Sequence, residues 1–149
     1  MRIKRRLIVS FAITLLVALF FAGQALAGSI VHRTVLFSAE SVAANGSVES
    51  GVINFVGNEP AGYMSLQLEV TGDGTVKVEP LLSNDGANFL LPSGVSAITT
   101  GFTKTSGPDG DGKDMFVVDP GMVSALLKIR VTETGGTNSA TVTAVLVWQ

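Results

Sequence analysis

The chain is predicted to be all-β: an antiparallel β-sandwich of jelly-roll or immunoglobulin-like topology, preceded by an N-terminal signal helix. Three observations predict it. From residue 28 onward the sequence is rich in Val, Thr, Gly and Ser and has no long stretch of helical periodicity. Apolar and polar residues alternate over short runs, the period of a strand with one buried face. Gly, Asn, Asp and Pro bound those runs, as turns require.

The first segment is read as an export signal. Arg2, Lys4, Arg5 and Arg6 make a positive start, Leu7 to Ala22 is apolar apart from Ser10 and Thr14, and Ala25-Leu26-Ala27 has the spacing that signal peptidase accepts. Cleavage is expected between Ala27 and Gly28, leaving residues 28–149 as a single sandwich domain. The competing reading is a retained anchor, since about 18 apolar residues can span a bilayer. The well-formed cleavage site and the lack of a following basic cluster weigh against it.

Removing residues 1–27 takes away four of the ten basic residues and none of the twelve acidic ones. The remaining 122 residues carry a formal charge of −6. Such acidity argues against nucleic acid or an anionic membrane as partner, because both attract basic surfaces. With no cysteine in the chain, an exported domain must be held by its apolar core, by subunit contacts or by bound ions.

The elements follow in order. Ile30 to Phe37 is the first expected strand, with Val31, Val35 and Phe37 on one face and Arg33 interrupting it. A hinge at Ala43-Ala44-Asn45-Gly46 precedes the second, Val48 to Val56. In Tyr63 to Thr71, Met64, Leu66, Leu68 and Val70 point one way and Ser65, Gln67 and Glu69 the other. Gly72-Asp73-Gly74 is expected to close a hairpin onto Thr75 to Leu82, with Val76, Val78 and Leu82 inward. Ser83-Asn84-Asp85-Gly86 is a further turn, leading to a short apolar piece from Asn88 to Leu91. Ser93 to Lys104 reads as irregular, with room for one helical turn, and Ser106 to Asp114 as a loop. Met115 to Val118 is a short strand. Ser124 to Thr134 is a long one, with Ala125, Leu127, Ile129 and Val131 inward. Gly135-Gly136-Thr137-Asn138 turns it into the last strand, Ala140 to Gln149.

An outer-membrane barrel is disfavoured, because it needs aromatic girdles and the chain has one Trp and one Tyr. Catalytic groups are few. His32 is the only histidine, and no cysteine or second histidine exists to complete a common metal site or triad with it. No Gly-x-Ser-x-Gly elbow occurs. The best ion-site candidate is the loop from Pro108 to Asp114, where Asp109, Asp111 and Asp114 could offer hard oxygen ligands to calcium. It does not fit an EF-hand, since Lys113, Asp114 and Pro120 fall where that loop needs a ligand, glycine and glutamate; a solvated acidic loop is the plainer reading. Asn45-Gly46-Ser47 fits the short N-glycosylation pattern. Tyr63, Phe89, Phe102, Phe116 and Trp148 are the aromatic groups on which a glycan could stack, although most lie at alternating strand positions that suit a core.

The last strand is apolar on both faces, with Val142, Ala144, Leu146 and Trp148 on one and Val145 and Val147 on the other. It is therefore central in its sheet or packed against another subunit. The first strand lies close to the expected cleavage site and could add to a neighbouring subunit's sheet. Self-association is thus expected through Ile30 to Phe37 or Ala140 to Trp148.

Ser83-Asn84-Asp85-Gly86-Ala87-Asn88-Phe89 resembles the S-x-D-G-x-x-[FW] segment of many small β-sandwich modules, including discoidin-like domains and phage virion proteins. Lys128 to Thr132, the Gly135 to Asn138 turn and Val142 to Gln149 are similar to the last hairpin of small virion-type sandwich proteins. The resemblance implies a sandwich used in assemblies, although a cleavable signal departs from what a cytoplasmically assembled virion protein needs. The expectation is a non-enzymatic, self-assembling structural protein of the bacterial periplasm or cell surface, such as a filament or surface-layer subunit. The alternative is an extracellular module that binds glycan or calcium.

Overall fold

The computed structural model describes residues 30–57, 64–118 and 124–149. The expected signal segment 1–27 and Tyr63 lie outside them. Residues 31–149 form a compact unit, in which the described residues make nine strands: β1 (His32–Val42), β2 (Ser47–Glu49), β3 (Ile53–Asn54), β4 (Met64–Gly72), β5 (Val76–Ser83), β6 (Thr99–Phe102), β7 (Lys113–Val118), β8 (Leu126–Glu133) and β9 (Ala140–Trp148). All pair antiparallel, in two sheets. The first runs β1-β9-β4-β7; the second runs β2-β8-β5-β6, with β3 also on β8.

Counting β2 and β3 as one interrupted strand makes the topology plain. The first half of the chain pairs with the second half in reverse order: β1 with β9, β2 and β3 with β8, β4 with β7, β5 with β6. That is one long hairpin rolled into two layers, a jelly roll rather than an immunoglobulin-like fold. The core lies between the sheets. Met64, Leu66, Leu68 and Val70 of β4 and Val142, Ala144, Leu146 and Trp148 of β9 meet Val76 and Val78 of β5 and Leu127, Ile129 and Val131 of β8. Alternation therefore identified the inward faces of these strands correctly.

It did not identify their partners. β4 and β5 lie in different sheets, as do β8 and β9, so neither expected hairpin forms. Gly72-Asp73-Gly74 and Gly135 to Asn138 are instead crossings between the layers. Gly74 must be glycine for a local reason: a Cβ there would sit 2.7 Å from the Ala140 nitrogen of the neighbouring crossing. The first strand is longer than expected, and register shifts between Val35 and Phe37 and between Phe37 and Glu40 change its phase. Val31 and Val35 are consequently exposed while Phe37 is buried, so the three do not share a face. Val48 to Val56 is interrupted at Ser50, whose Oγ accepts the Ile129 N–H at 3.0 Å in place of a backbone carbonyl. Within 93–104 a turn closes with Val95 N–H on the Pro92 carbonyl, and β6 forms where irregular chain was expected.

Three crossings at one end of the sandwich are tied to a single side chain. Glu133 is only 2% exposed, at the end of β8. Its Oε2 accepts N–H groups from Asn45 at 2.9 Å and Gly136 at 2.9 Å, and its Oε1 those of Thr75 at 3.1 Å and Gly135 at 2.7 Å. These donors belong to the β1–β2, β4–β5 and β8–β9 connections. The expected hinge at Ala43 to Gly46 is therefore pinned. Asn45 takes a positive φ of 58°, which asparagine tolerates, and its side-chain amide donates to the Gly136 carbonyl.

The hydrogen bonds from Asn45 first, then Thr75 and Gly136, pull the Glu133 pKa down to about 2, against the opposing effect of burial. A depressed carboxylate stabilises the fold fully above its unfolded-state pKa near 4.5 and loses that contribution as pH falls toward about 2. Glu133→Gln is expected to lower the thermal midpoint at pH 7, and the gap from wild type to narrow progressively between pH 5 and 2 in a calorimetric series. Leu66→Ala, which empties a fully buried position between the sheets, is expected to cost about 2–5 kcal/mol in urea denaturation.

Candidate functional site

The two outer faces of the sandwich differ in character. On the β2-β8-β5-β6 sheet the charged outward positions are paired. Glu79 is buried between Lys77 at 3.0 Å and Arg130 at 3.0 Å, and Glu49 meets Lys128 at 3.1 Å. Burial raises the Glu79 pKa, but hydrogen bonds and charge from Lys77 and Arg130 outweigh it, leaving the carboxyl below its ordinary value. Lys128 Nζ also lies 4.6 Å over the Phe89 ring. That cation covers the aromatic face a sugar would need.

On the β1-β9-β4-β7 sheet the outward positions are mixed: Val35, Met115, Val117, Val145 and Val147 stand among Arg33, Ser65, Gln67, Glu69, Lys113 and Thr143. Register places Arg33, Val147, Ser65 and Val117 in one row and Val35, Val145, Gln67 and Met115 in the next. Val35, Met115 and Val117 are 51%, 65% and 83% exposed; Val145 and Val147 are half-buried. Met115 and Val117 adjoin on the edge strand β7, whereas Val35 lies on the opposite edge strand; adjoining exposed apolar side chains mark a surface for association. β9 lies between β1 and β4, which accounts for its doubly apolar sequence, and both its edges are already paired. The expected pairing strand β1 is bound within its own chain to β9 and keeps one outer edge.

The remaining candidates fall as follows. His32 stacks on Trp148 with ring centroids 5.1 Å apart and planes 12° apart, and Phe55 meets the same indole edge-on. Trp148 is buried, and its Nε1 has no hydrogen-bond partner among the described residues. Phe102, the aromatic residue expected in irregular chain, is buried in β6 against Phe116, so it offers no stacking surface. The loop carboxylates are engaged locally: Asp111 accepts the Lys113 N–H at 3.1 Å and pairs with its ammonium, and Asp114 accepts the Met115 N–H at 2.7 Å. Among the described residues no group of three His, Cys, Asp or Glu side chains is placed to hold a metal ion.

The turn at Ser83 to Asn88 is the most organised loop. Asp85 accepts from the Asn88 and Ala87 N–H groups, the Asn88 amide and the Ser83 hydroxyl, at 2.7 to 2.9 Å. Those bonds, led by the Asn88 N–H, hold its pKa well below the carboxylate range. Beside it lies an open cleft of about 630 Å³ whose lining includes Asn84, Asp85, Asn88, Leu90 and Ser124. Sequence reasoning found this turn but missed Glu133, whose signal was an acidic residue ending an apolar strand directly before a Gly-Gly crossing.

No protein-family model matches the chain, and no curated protein sequence matches it. Solved structures share its fold. VP2 of infectious bursal disease virus, in a subviral particle, aligns with a TM-score of 0.50 and 12% identity over 79% of this chain and 32% of that one. T=1 particles derived from the same virus give 0.51 and 10% identity over 79% and 31%. PliG, a periplasmic inhibitor of g-type lysozyme from Aeromonas hydrophila, aligns at 0.38 and 14% identity over 81% and 87%. The chain spans about a third of the length of the viral proteins it matches. The class is therefore a β-sandwich module whose fold recurs in part of VP2. No family narrower than that is defined.

Asp85→Ala is expected to loosen the 84–90 turn while leaving the sheets intact. Limited proteolysis should cut faster there, with the far-UV spectrum unchanged.

Proposed function

We propose that the chain is exported, with residues 1–27 removed, and serves as a non-enzymatic structural subunit that self-assembles in the periplasm or at the bacterial cell surface, as in a filament or surface layer. The apolar side chains Val35, Met115, Val117, Val145 and Val147 on one outer face carry this reading, Met115 and Val117 being the most exposed of them. Covering such a face removes it from water, the main favourable term in association. An acidic surface elsewhere keeps the free subunits soluble and apart from anionic membranes and nucleic acid. About a third of VP2, a protein of a subviral particle, has this fold; that likeness supports the compatibility of the fold with assembly and nothing narrower. Light scattering with electron microscopy is expected to show ordered oligomers that grow with protein concentration. A monomer across the whole range would discard the proposal.

A second reading, an extracellular ligand-binding module, rests on the cleft beside Asp85. It includes calcium at Asp109, Asp111 and Asp114, which would displace the Lys113 and Met115 N–H groups from two of these carboxylates. On this reading millimolar calcium raises the melting temperature, and Asp111→Asn with Asp114→Asn abolishes the rise. No rise in the wild type removes calcium, and a glycan array without a hit removes the cleft.

A further inference from the structure

β7 differs from the other edge strands. β1 is broken by two register shifts, β2 and β3 are separated by residues 50–52, and the four-residue β6 shifts register against β5. Irregularities of this kind keep an edge from accepting another strand. β7 pairs with β4 without a break, from Lys113 opposite Glu69 to Val118 opposite Met64.

Its outward backbone groups can be assigned. The Val70 N–H of β4 donates to the Gly112 carbonyl at 2.9 Å, on the β7 side. Alternation then turns Leu68, Leu66 and Met64 toward β7 and their partners Asp114, Phe116 and Val118 back toward β4. The N–H and C=O groups of Lys113, Met115 and Val117 point off the sheet. Those of Lys113 are covered: its N–H meets Asp111, and Gly107 lies so close to its carbonyl that a Cβ there would collide. The Met115 N–H is held by the Asp114 carboxylate of the preceding residue. Beside Val117 and Val118 the edge opens onto a cleft of about 340 Å³ bordered by Val95, Ala97 and Ile98.

We infer that β7 joins two copies of this chain by antiparallel pairing about a twofold axis at Phe116. In that register Met115 lies opposite the partner subunit's Val117, and Val117 opposite the partner subunit's Met115. Both are hydrogen-bonding positions, so two N–H and two C=O groups on each copy are satisfied together by four hydrogen bonds. Moving the axis to Met115 sets Val117 against the covered Lys113 instead. The twofold register also places the exposed Met115 and Val117 side chains next to each other on the outer face. Ser65 and Gln67 of β4 separate this apolar group from Val145 and Val147, and the joined sheet has twice four strands. Asp114 must release the Met115 N–H before the strands join, so it opposes the union. The inference rests on the self-assembly proposed above and names the strand that carries it.

The full chain, Val117→Pro and a Met115→Lys/Val117→Lys double variant are compared by sedimentation velocity over a concentration series. Proline at 117 removes an outward donor without touching the bonds to β4, which edge positions tolerate. The charged pair tests the same contact without a backbone change. Wild type is expected to dimerise, and both variants to raise the dissociation constant at least tenfold with unchanged far-UV spectra. Asp114→Ala is expected to tighten the dimer. If wild type and variants associate equally, assembly uses another surface: the β7 inference fails and the self-assembly reading stands. A weakened Asp114→Ala dimer also overturns the register, and a wild type that never associates overturns both.

Discussion

The sandwich depends on how its chain passes from one sheet to the other, and that passage is organised by the Glu133 carboxylate. Backbone N–H groups at crossings cannot join a ladder, and leaving them unpaired inside the molecule is costly. Glu133 takes four of them from three connections. It thereby sets the spacing of the layers where β1, β4 and β8 leave their sheets. Crowding at the same end admits only glycine at position 74. An acceptor with two oxygens and a full charge suits four converging donors better than any neutral side chain. The carboxylate stays ionised because those donors are already fixed in place.

With the crossings fixed, the two sheets divide the surface between them. One outer face holds its charges in pairs around Glu79 and Lys128, where Arg130 and Lys77 share a single carboxylate. The other presents valines and a methionine interspersed with Arg33, Ser65 and Gln67. Both faces come from strands with the same alternation, and the difference lies wholly in the residues set between the core positions. An enclosed core and an outer face that exposes valines are thus built from the same four strands, β9 supplying Leu146 to one and Val147 to the other.

How much of this was legible in the sequence follows from what alternation encodes. It reports which face of a strand is buried, so Met64 to Val70, Leu127 to Val131 and Val142 to Trp148 were assigned to the core correctly. It does not report which strand lies alongside. Gly72-Asp73-Gly74 has the composition of a hairpin turn, and only its crowding against Ser139 and Ala140 makes it a crossing. The bulges in β1 were hidden because each inserts a residue and reverses the phase, turning Phe37 inward from a run that left Val35 outside. Phe102 was placed in irregular chain because β6 is only four residues long and carries a glycine. Among the loop acids, Asp111 and Asp114 proved to be partners of neighbouring N–H groups, a role that depends on the backbone conformation and has no composition of its own.

Because the first half of the chain pairs in reverse order with the second, the ladders form a graded series of loop closures. β5 and β6 meet across the shortest intervening segment, and β1 meets β9 across almost the entire sandwich, with His32 opposite Trp148. Each step outward costs more loop entropy and depends on chain made later. During synthesis β9 emerges after the other described strands, so the β1-β9 ladder waits for the chain between its two strands. The sheet that holds β1 therefore stays incomplete until β9 has been made.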